Sequence, residues 1–144
     1  MSRDSSLVTF DVHGQWYAFP VEAVVEVATG ATLTRVPGAG DGLAGVTSWR
    51  GRTIPVFRLE GDLKPVDAAP DQECRVLILR DPGPFALRID RPGDILREWT
   101  PVVVEGRRGA AADAFTRDGD RTIRILGPNE VVAAAGGAAG ERAL

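Results

Sequence analysis

The second half of the sequence repeats the pattern of the first half at an offset of 68 residues. When the two halves are aligned at this offset, similar stretches coincide: Val8-Thr9-Phe10 with Val76-Leu77-Ile78, Tyr17-Ala18-Phe19 with Phe85-Ala86-Leu87, Thr32 with Thr100 and, after a shift of one residue, Thr53-Ile54 with Thr122-Ile123. Apolar residues alternate in the first pair of stretches, which is the period of a half-buried β-strand. Solenoid repeats are shorter than this. The sequence therefore predicts two copies of a small β unit.

The length and composition limit the chain to one ordinary domain or two very small ones. It has 144 residues, of which 44% are apolar and 26% charged, as is typical of a globular protein. A polar, proline-rich stretch at 64–72 is the expected link between the copies. We predict a single domain at 7–132 and a frayed tail at 133–144. Within the domain, two subdomains are expected at roughly 20–65 and 70–130, and an N-terminal strand at 7–13 is expected to pair with one of them.

The charge and the lack of long apolar stretches exclude several classes of partner. Seventeen basic residues stand against 20 acidic ones, a net charge of -3 with a pI of about 5.2, so no basic surface for nucleic acid is expected. No stretch is long and apolar enough to span a bilayer, and the N-terminus lacks the apolar core of a signal peptide. The single cysteine, Cys74, cannot form an internal disulfide. We therefore predict a cytoplasmic protein without direct membrane insertion.

Few residues are available for catalysis. The chain has one histidine, His13, and one cysteine, Cys74, whereas nucleophilic catalysis needs a base beside its nucleophile. His13 lies between two strand-like stretches, where a solvated turn is expected, and Cys74 begins a strand-like stretch, where a half-buried thiol is expected. Ligand sets for zinc or haem and a calcium-binding loop are missing from the sequence. We predict no enzymatic activity, no metal and no cofactor.

A glycine-rich motif offers an alternative to this prediction. Residues 40–45 match the G-x-G-x-x-G pattern of dinucleotide-binding proteins. That pattern needs a helix directly after the glycines, because the helix N-terminus holds the pyrophosphate. The residues that follow are β-branched and aromatic and are interrupted by Gly51 and Pro55, so they predict strands. A dinucleotide-dependent enzyme stays an alternative that depends on a helix after residue 45.

Several spaced motifs of the sequence match the pattern of a known protein family. The family pattern has a Y-A-I-P-V strand, a V-x-E-V turn, a G-V-x-N-L-R-G loop and an I-P-V strand. This sequence matches it in the same order: Tyr17-Ala18-Phe19-Pro20-Val21, Val24-x-Glu26-Val27, Gly45-Val46-x-Ser48-Trp49-Arg50-Gly51 and Ile54-Pro55-Val56. The second half adds Phe85-Ala86-Leu87-x-Ile89-Asp90 and Thr122-Ile123-x-Ile125-Leu126. With these motifs the sequence resembles the CheW family of bacterial chemotaxis coupling proteins, over roughly residues 7–132.

The resemblance implies an all-β fold of two small five-stranded β-barrels, of the CheW-like or SH3-like kind, related by a pseudo-twofold axis. It also implies a non-enzymatic adaptor that couples chemoreceptors to a CheA-type histidine kinase. The implied partners are the regulatory domain of the kinase, the cytoplasmic tip of the receptors and other CheW-like domains, within receptor arrays. A β-barrel domain that senses a ligand or peptide outside chemotaxis is the other alternative, and a deep closed pocket would favour it.

The resemblance also marks the residues expected to bind partners: Glu26, Gly45, Val46, Ser48, Trp49, Arg50, Gly51, Val56 and Arg58. Arg50, in a tight loop before a strand, is expected to be exposed and to reach polar groups of a receptor helix, although exposed arginines are often only solvated. Trp49 is expected next to Glu26 in a protein-binding surface, and the alternative places its ring in the core. The two glycines are expected to serve backbone geometry.

Two departures from the family pattern change the chemistry of this surface. Ser48-Trp49 stands where the family has Asn-Leu, which places a large amphipathic ring in the receptor-facing loop. Arg58 and Glu60 reverse both charges of the family's usual ending of the I-P-V strand. We therefore expect a diverged paralogue that serves a particular receptor or signalling system.

Overall fold

The computed structural model describes residues 6–38, 43–59, 73–81, 83–102, 114–128 and 131. They include ten β-strands and one turn of 3-10 helix: β1 (Leu7–Val12), β2 (Gln15–Pro20), the 3-10 turn (Val21–Ala23), β3 (Val24–Thr32), β4 (Leu43–Trp49), β5 (Arg52–Phe57), β6 (Glu73–Leu79), β7 (Phe85–Ile89), β8 (Arg91–Leu96), β9 (Ala114–Asp118) and β10 (Arg121–Ile125). Within these ranges, no helix is both long and apolar enough to cross a membrane. The predicted link at 64–72 and tail at 133–144 lie outside the described residues.

The strands form two five-stranded sheets with the same internal order. That order is β8-β1-β2-β10-β9 in one sheet and β3-β6-β7-β5-β4 in the other. Exchanging each strand of the first half for its counterpart in the second half, β1 for β6 through β5 for β10, converts one order into the other. Each sheet also contains one parallel pair, β2 with β10 and β5 with β7. The predicted all-β fold of two related five-stranded units is confirmed.

Each sheet takes its strands from both halves of the chain. The β1–β2 hairpin lies with β8, β9 and β10, and the β6–β7 hairpin lies with β3, β4 and β5. We call these two units barrel A and barrel B, respectively. The subdomains expected at 20–65 and 70–130 therefore need correction, because β6 and β7 belong with the strands of the first half. The two strands of each hairpin pair directly with each other, so each hairpin joins the strands of the other half as one piece.

An isolated bridge joins the two edges of each sheet. In barrel B, the backbone N–H groups of Thr34 and Val46 each donate to the other residue's carbonyl at 2.8 Å. In barrel A, the backbone N–H of Val102 donates to the carbonyl of Phe115 at 2.8 Å. Equivalent side-chain bonds accompany the bridges, from Thr47 Oγ1 to the Thr32 carbonyl and from Thr116 Oγ1 to the Thr100 carbonyl, both at 2.8 Å. The internal symmetry thus extends to single hydrogen bonds.

Buried apolar side chains fill both barrels and the space between them. The cluster between the barrels consists of Val8, Phe10, Val12, Phe19, Leu59, Leu77, Leu79, Phe85, Leu87, Ile89, Leu126 and Val131. Barrel B encloses Leu33, Ala44, Ile54, Val56, Val76, Ile78 and Ala86, and barrel A encloses Leu7, Ala18, Ile123 and Ile125. Strand β1 contributes to two of these clusters. It is buried on both faces, not half-buried as its alternating pattern predicted.

Candidate partner-binding site

The turn between β4 and β5 consists of Arg50 and Gly51. Trp49 pairs with Arg52 across it, so the loop has two residues. Both loop residues have positive φ, 49° at Arg50 and 74° at Gly51, as a type I′ hairpin turn requires. Glycine adopts this conformation freely, whereas a residue with a β-carbon adopts it at a cost of about 1 kcal/mol or more. The turn therefore holds Arg50 in a strained backbone conformation.

The equivalent turn of barrel A contains a glycine at the position of Arg50. Arg121 pairs with Asp118 across that turn, and Gly119 has a φ of 64°. The same hairpin thus has a residue suited to positive φ in one barrel and an arginine in the other. The hairpin does not require an arginine here, so the reason for Arg50 must lie in the contacts of its side chain.

Glu26 connects this turn to strand β3. Its Oε1 accepts hydrogen bonds from Trp49 Nε1 at 3.0 Å and from Arg50 Nη2 at 3.1 Å. The guanidinium carbon of Arg50 lies 4.7 Å from the centroid of the Trp49 ring, which is within cation–π distance. The structure thus brings Glu26 next to the loop, as the sequence predicted, and the role of these residues in binding stays a prediction. We call Glu26, Trp49 and Arg50 the Glu26 cluster.

The Glu26 cluster is open to solvent. The side chain of Arg50 is 66% exposed and that of Glu26 is 38% exposed. Water therefore screens the ion pair, which contributes little to stability. Only one of the five guanidinium N–H groups is needed for the bond to Glu26, so the others can donate to a partner. The arrangement orients a cation without burying it.

The sequence left open whether Trp49 lies in the protein surface or in the core, and its position is intermediate between the two. Its ring packs against the cluster of apolar side chains inside barrel B, yet the residue is only partly buried. The indole N–H points to Glu26 at the rim of the barrel. One side chain therefore both closes the end of barrel B and contributes to the surface of the Glu26 cluster.

Two of the predicted partner-binding residues are buried. Val56 has no exposed surface because it faces the interior of barrel B, which corrects its place among the expected contact residues. At Gly45, a β-carbon would collide with the carbonyl oxygen of Thr34 and would lie 2.9 Å from Leu33 Cδ1. Gly45 therefore permits the close backbone approach that joins the edges of barrel B, the backbone role expected for it.

The remaining predicted residues differ in exposure. Ser48 and Gly51 are exposed on the same hairpin as Arg50, whereas Val46 is half-buried and forms the bridge to Thr34. Arg58 is half-buried, and its Nε is buried without a hydrogen-bond partner in the described ranges. Ser48 and Gly51 thus extend the surface of the Glu26 cluster, whereas Arg58 follows β5 at the end of that strand away from the turn.

The two residues considered for catalysis lie apart, one in a turn and one on strand β6. His13 is exposed in the β1–β2 turn with a φ of 55°, and its backbone N–H donates to Asp90 Oδ2 at 2.7 Å. Burial raises the pKa of the Cys74 thiol, and the opposing effect of the nearby Arg88 charge is smaller. A raised pKa makes a thiol less reactive at neutral pH. Within the described ranges, no group of histidine, cysteine and acidic side chains could hold a metal ion.

The alternatives to an adaptor gain no support from the structure. Residues 40–42 of the glycine-rich motif lie outside the described residues, and the residues directly after them form strand β4 rather than the helix that a dinucleotide site needs. A sensing domain would need a cavity, and among the described residues apolar side chains occupy the interiors of both barrels.

Sequence reasoning did not anticipate that a single oxygen of Glu26 accepts from both Trp49 and Arg50. Trp49 and Arg50 follow Glu26 by 23 and 24 positions in the sequence, and the joining of the barrel B edges brings them together with it. The available signal was chemical: an indole and a guanidinium in adjacent positions both donate hydrogen bonds, and an acid on a nearby strand can accept from both.

The fold and this site describe a protein of two interlocked β-barrels with an exposed, charged turn at the end of one barrel. The chain belongs to the CheW-like domain family, whose model matches residues 6–135. Among solved structures, it is similar to the crystal structure of scaffolding protein TtCheW from Thermoanaerobacter tengcongensis, with 20% sequence identity and a TM-score of 0.67 over 86% of this chain and 89% of that chain. This similarity shows a common fold. A search of curated proteins found no match.

Proposed function

We propose that this protein is a non-enzymatic adaptor that couples chemoreceptors to a CheA-type histidine kinase in the bacterial cytoplasm. Its membership in the CheW-like family and the similarity of its fold to a protein described as a scaffold support this proposal. The partners would be the kinase regulatory domain, the cytoplasmic tip of the receptors and other CheW-like domains. A role in bringing proteins together also fits the chain's single histidine and its half-buried cysteine.

The Glu26 cluster is the surface proposed to contact the receptor. The observation that carries this proposal is the strained, exposed Arg50, held in place by Glu26 and by the Trp49 ring. Backbone strain that the fold does not require is typical of functional positions. Tryptophan and arginine are also the residue types that most often dominate the energy of protein interfaces.

The cluster suits the polar side chains of a helical partner. The free donors of Arg50 can reach carboxylate or carbonyl oxygens, and the exposed part of the Trp49 ring can cover apolar side chains beside them. Because Glu26 already orients the guanidinium, less side-chain freedom is lost on binding. A receptor tip with oxygen acceptors next to apolar positions on one helix face would be complementary to this surface.

Calorimetric titration with a receptor cytoplasmic fragment from the same organism tests this proposal. The informative variant is Arg50→Asn, because asparagine tolerates positive φ and keeps the turn while removing the guanidinium. Arg117→Asn is the matched control, since Arg117 is an exposed arginine on barrel A. We expect Arg50→Asn to weaken binding by about tenfold or more and Arg117→Asn by less than about twofold. Equal effects of the two variants, or a wild-type chain that does not bind, would contradict the proposal.

A further inference from the structure

A second tryptophan and two arginines form a cluster on barrel A. Trp16 lies on β2, Arg91 on β8 and Arg121 on β10. The guanidinium carbon of Arg121 is 4.0 Å from the centroid of the Trp16 ring and that of Arg91 is 5.8 Å from it, both within cation–π distance. The two arginines are exposed and Trp16 is half-buried. We call these three residues the Trp16 cluster.

This cluster occupies the end of barrel A that corresponds to the Glu26 cluster on barrel B. Trp16 is the register partner of Ile123, whose side chain lies inside barrel A, and Trp16 packs against the same interior. Arg121 is the first residue after the β9–β10 turn, the counterpart of the turn that holds Arg50. Each barrel therefore has a tryptophan at the same end, with an arginine beside its ring.

The acid that accompanies the arginines differs between the two ends. In barrel A it is Asp11, whose side chain is only 4% exposed and whose Oδ2 accepts from Arg91 Nε at 2.9 Å. Asp11 Oδ1 is buried without a hydrogen-bond partner among the residues described. A buried carboxylate with an unsatisfied oxygen costs stability, and here it fixes the position of Arg91. The acid holds the arginine from below, where a binding partner cannot reach it.

Arg121 is the second cation of this surface. Its guanidinium lies against the Trp16 ring. Within the described ranges Arg121 forms no ion pair, although Asp118 is its register partner. Among the described residues, no acid accepts from the N–H donors of Arg121, and Asp11 is the acid that accepts from Arg91. Within the described part of the chain, the surface therefore presents two guanidinium groups with donors to offer a partner.

The Trp16 ring is held against strand β8. At Gly93, a β-carbon would lie 2.5 Å from Trp16 Cζ3 and would collide with Thr9 Oγ1. The absence of a side chain at Gly93 thus lets the ring lie close to the backbone of β8. A ring fixed in this way, with cations positioned around it, loses little conformational freedom when a partner binds.

We propose that the Trp16 cluster is a second protein-docking site, which binds an acidic segment of a partner protein. Carboxylates of the segment accept from the forked donors of Arg121 and Arg91, and apolar groups between them pack on the Trp16 ring. A protein fits better than a nucleic acid, because the net charge of the chain is -3 and an aromatic ring beside arginines is typical of protein interfaces. This proposal does not depend on the function proposed for the Glu26 cluster.

The test uses the full chain with ¹⁵N-labelled tryptophan and follows the three indole N–H signals by NMR. The probe is a blocked octapeptide of alternating glutamate and leucine, and its counterpart has glutamine for glutamate. We expect the glutamate peptide to shift the Trp16 signal, with a smaller shift at Trp49 and little effect of the glutamine peptide. Arg121→Glu should weaken the affinity by about tenfold or more. The control Arg117→Glu makes the same change of charge on the neighbouring strand and should weaken it by less than about threefold.

Four results would overturn the proposal. The first is a Trp16 signal that neither peptide moves. The second is a shift that appears at Trp49 instead. The third is an equal loss of affinity in Arg121→Glu and Arg117→Glu, which would show attraction by charge alone. The fourth is an equal shift caused by a single-stranded oligonucleotide of the same charge. Arg121→Gln, which removes the charge without reversing it, should reproduce the loss in a variant whose circular dichroism spectrum matches the wild type.

Discussion

Replacement of Trp49 separates its packing role from its contact with Glu26. A fully buried tryptophan costs about 3–5 kcal/mol of unfolding free energy when it is replaced by alanine. Trp49 is only partly buried against the interior of barrel B, so we expect about 2–3 kcal/mol for Trp49→Ala. Trp49→Phe keeps an aromatic ring and loses the 3.0 Å bond to Glu26, for which we expect about 1 kcal/mol.

Urea unfolding followed by far-UV circular dichroism measures these differences without relying on tryptophan fluorescence. Trp99→Phe provides a matched control, since Trp99 is half-buried against the interior of barrel A. A double-mutant cycle of Trp49→Phe with Glu26→Ala isolates the hydrogen bond, and we expect a coupling free energy of about 1 kcal/mol.

Three outcomes would contradict these expectations for Trp49. If Trp49→Ala costs less than about 0.5 kcal/mol, the ring does not close barrel B. If it costs as much as a fully buried tryptophan, the ring has no surface to offer a partner and the Glu26 cluster loses its aromatic member. A coupling free energy near zero would show that the bond to Glu26 does not persist in solution.

Three further predictions concern the backbone and the buried thiol. Arg50→Asn and Arg50→Ala remove the same contacts, but alanine keeps the left-handed strain, so Arg50→Ala should unfold at a lower urea concentration and be less stable by about 1 kcal/mol. Gly45→Ala should lower the melting temperature and cost about 1–3 kcal/mol, because the new methyl group meets the carbonyl of Thr34, and an unchanged melting temperature would contradict this contact. Burial raises the pKa of Cys74, so the folded state disfavours the thiolate, and stability should fall as the pH rises through the ordinary titration range of a thiol. Urea unfolding at neutral and alkaline pH measures this fall, and Cys74→Ala should abolish that part of the pH dependence.

The sequence was sufficient to predict the duplication but not how the two copies interlock. Matching strands at an offset of 68 residues correspond to strands of the same order in the two sheets. The pattern of a strand is the same whether it pairs within its own copy or with the other copy. The exchange of the β1–β2 and β6–β7 hairpins was therefore not predictable from the pattern, and neither was the burial of β1 on both faces.

The candidate site was predictable in part for a similar reason. The loop with Trp49 and Arg50 could be located because its residues are consecutive and match a family pattern. The side-chain positions depend on how strands that are distant in sequence meet. Val56 was expected among the residues that contact a partner and is in the core, because strand alternation places it on the inner face of β5. The approach of Arg121 to Trp16 follows from the parallel pairing of β10 with β2, which no local pattern indicates.

Sedimentation velocity with three purified components tests most directly whether this protein is an adaptor. The components are the full chain, a receptor cytoplasmic fragment and the kinase regulatory domain from the same organism. We expect the receptor fragment and the kinase domain to sediment together only when this protein is present. With Arg50→Asn, the kinase domain should still co-sediment with the chain while the receptor fragment sediments alone. A receptor and kinase that associate equally well without this protein, or a chain that binds neither, would contradict an adaptor role.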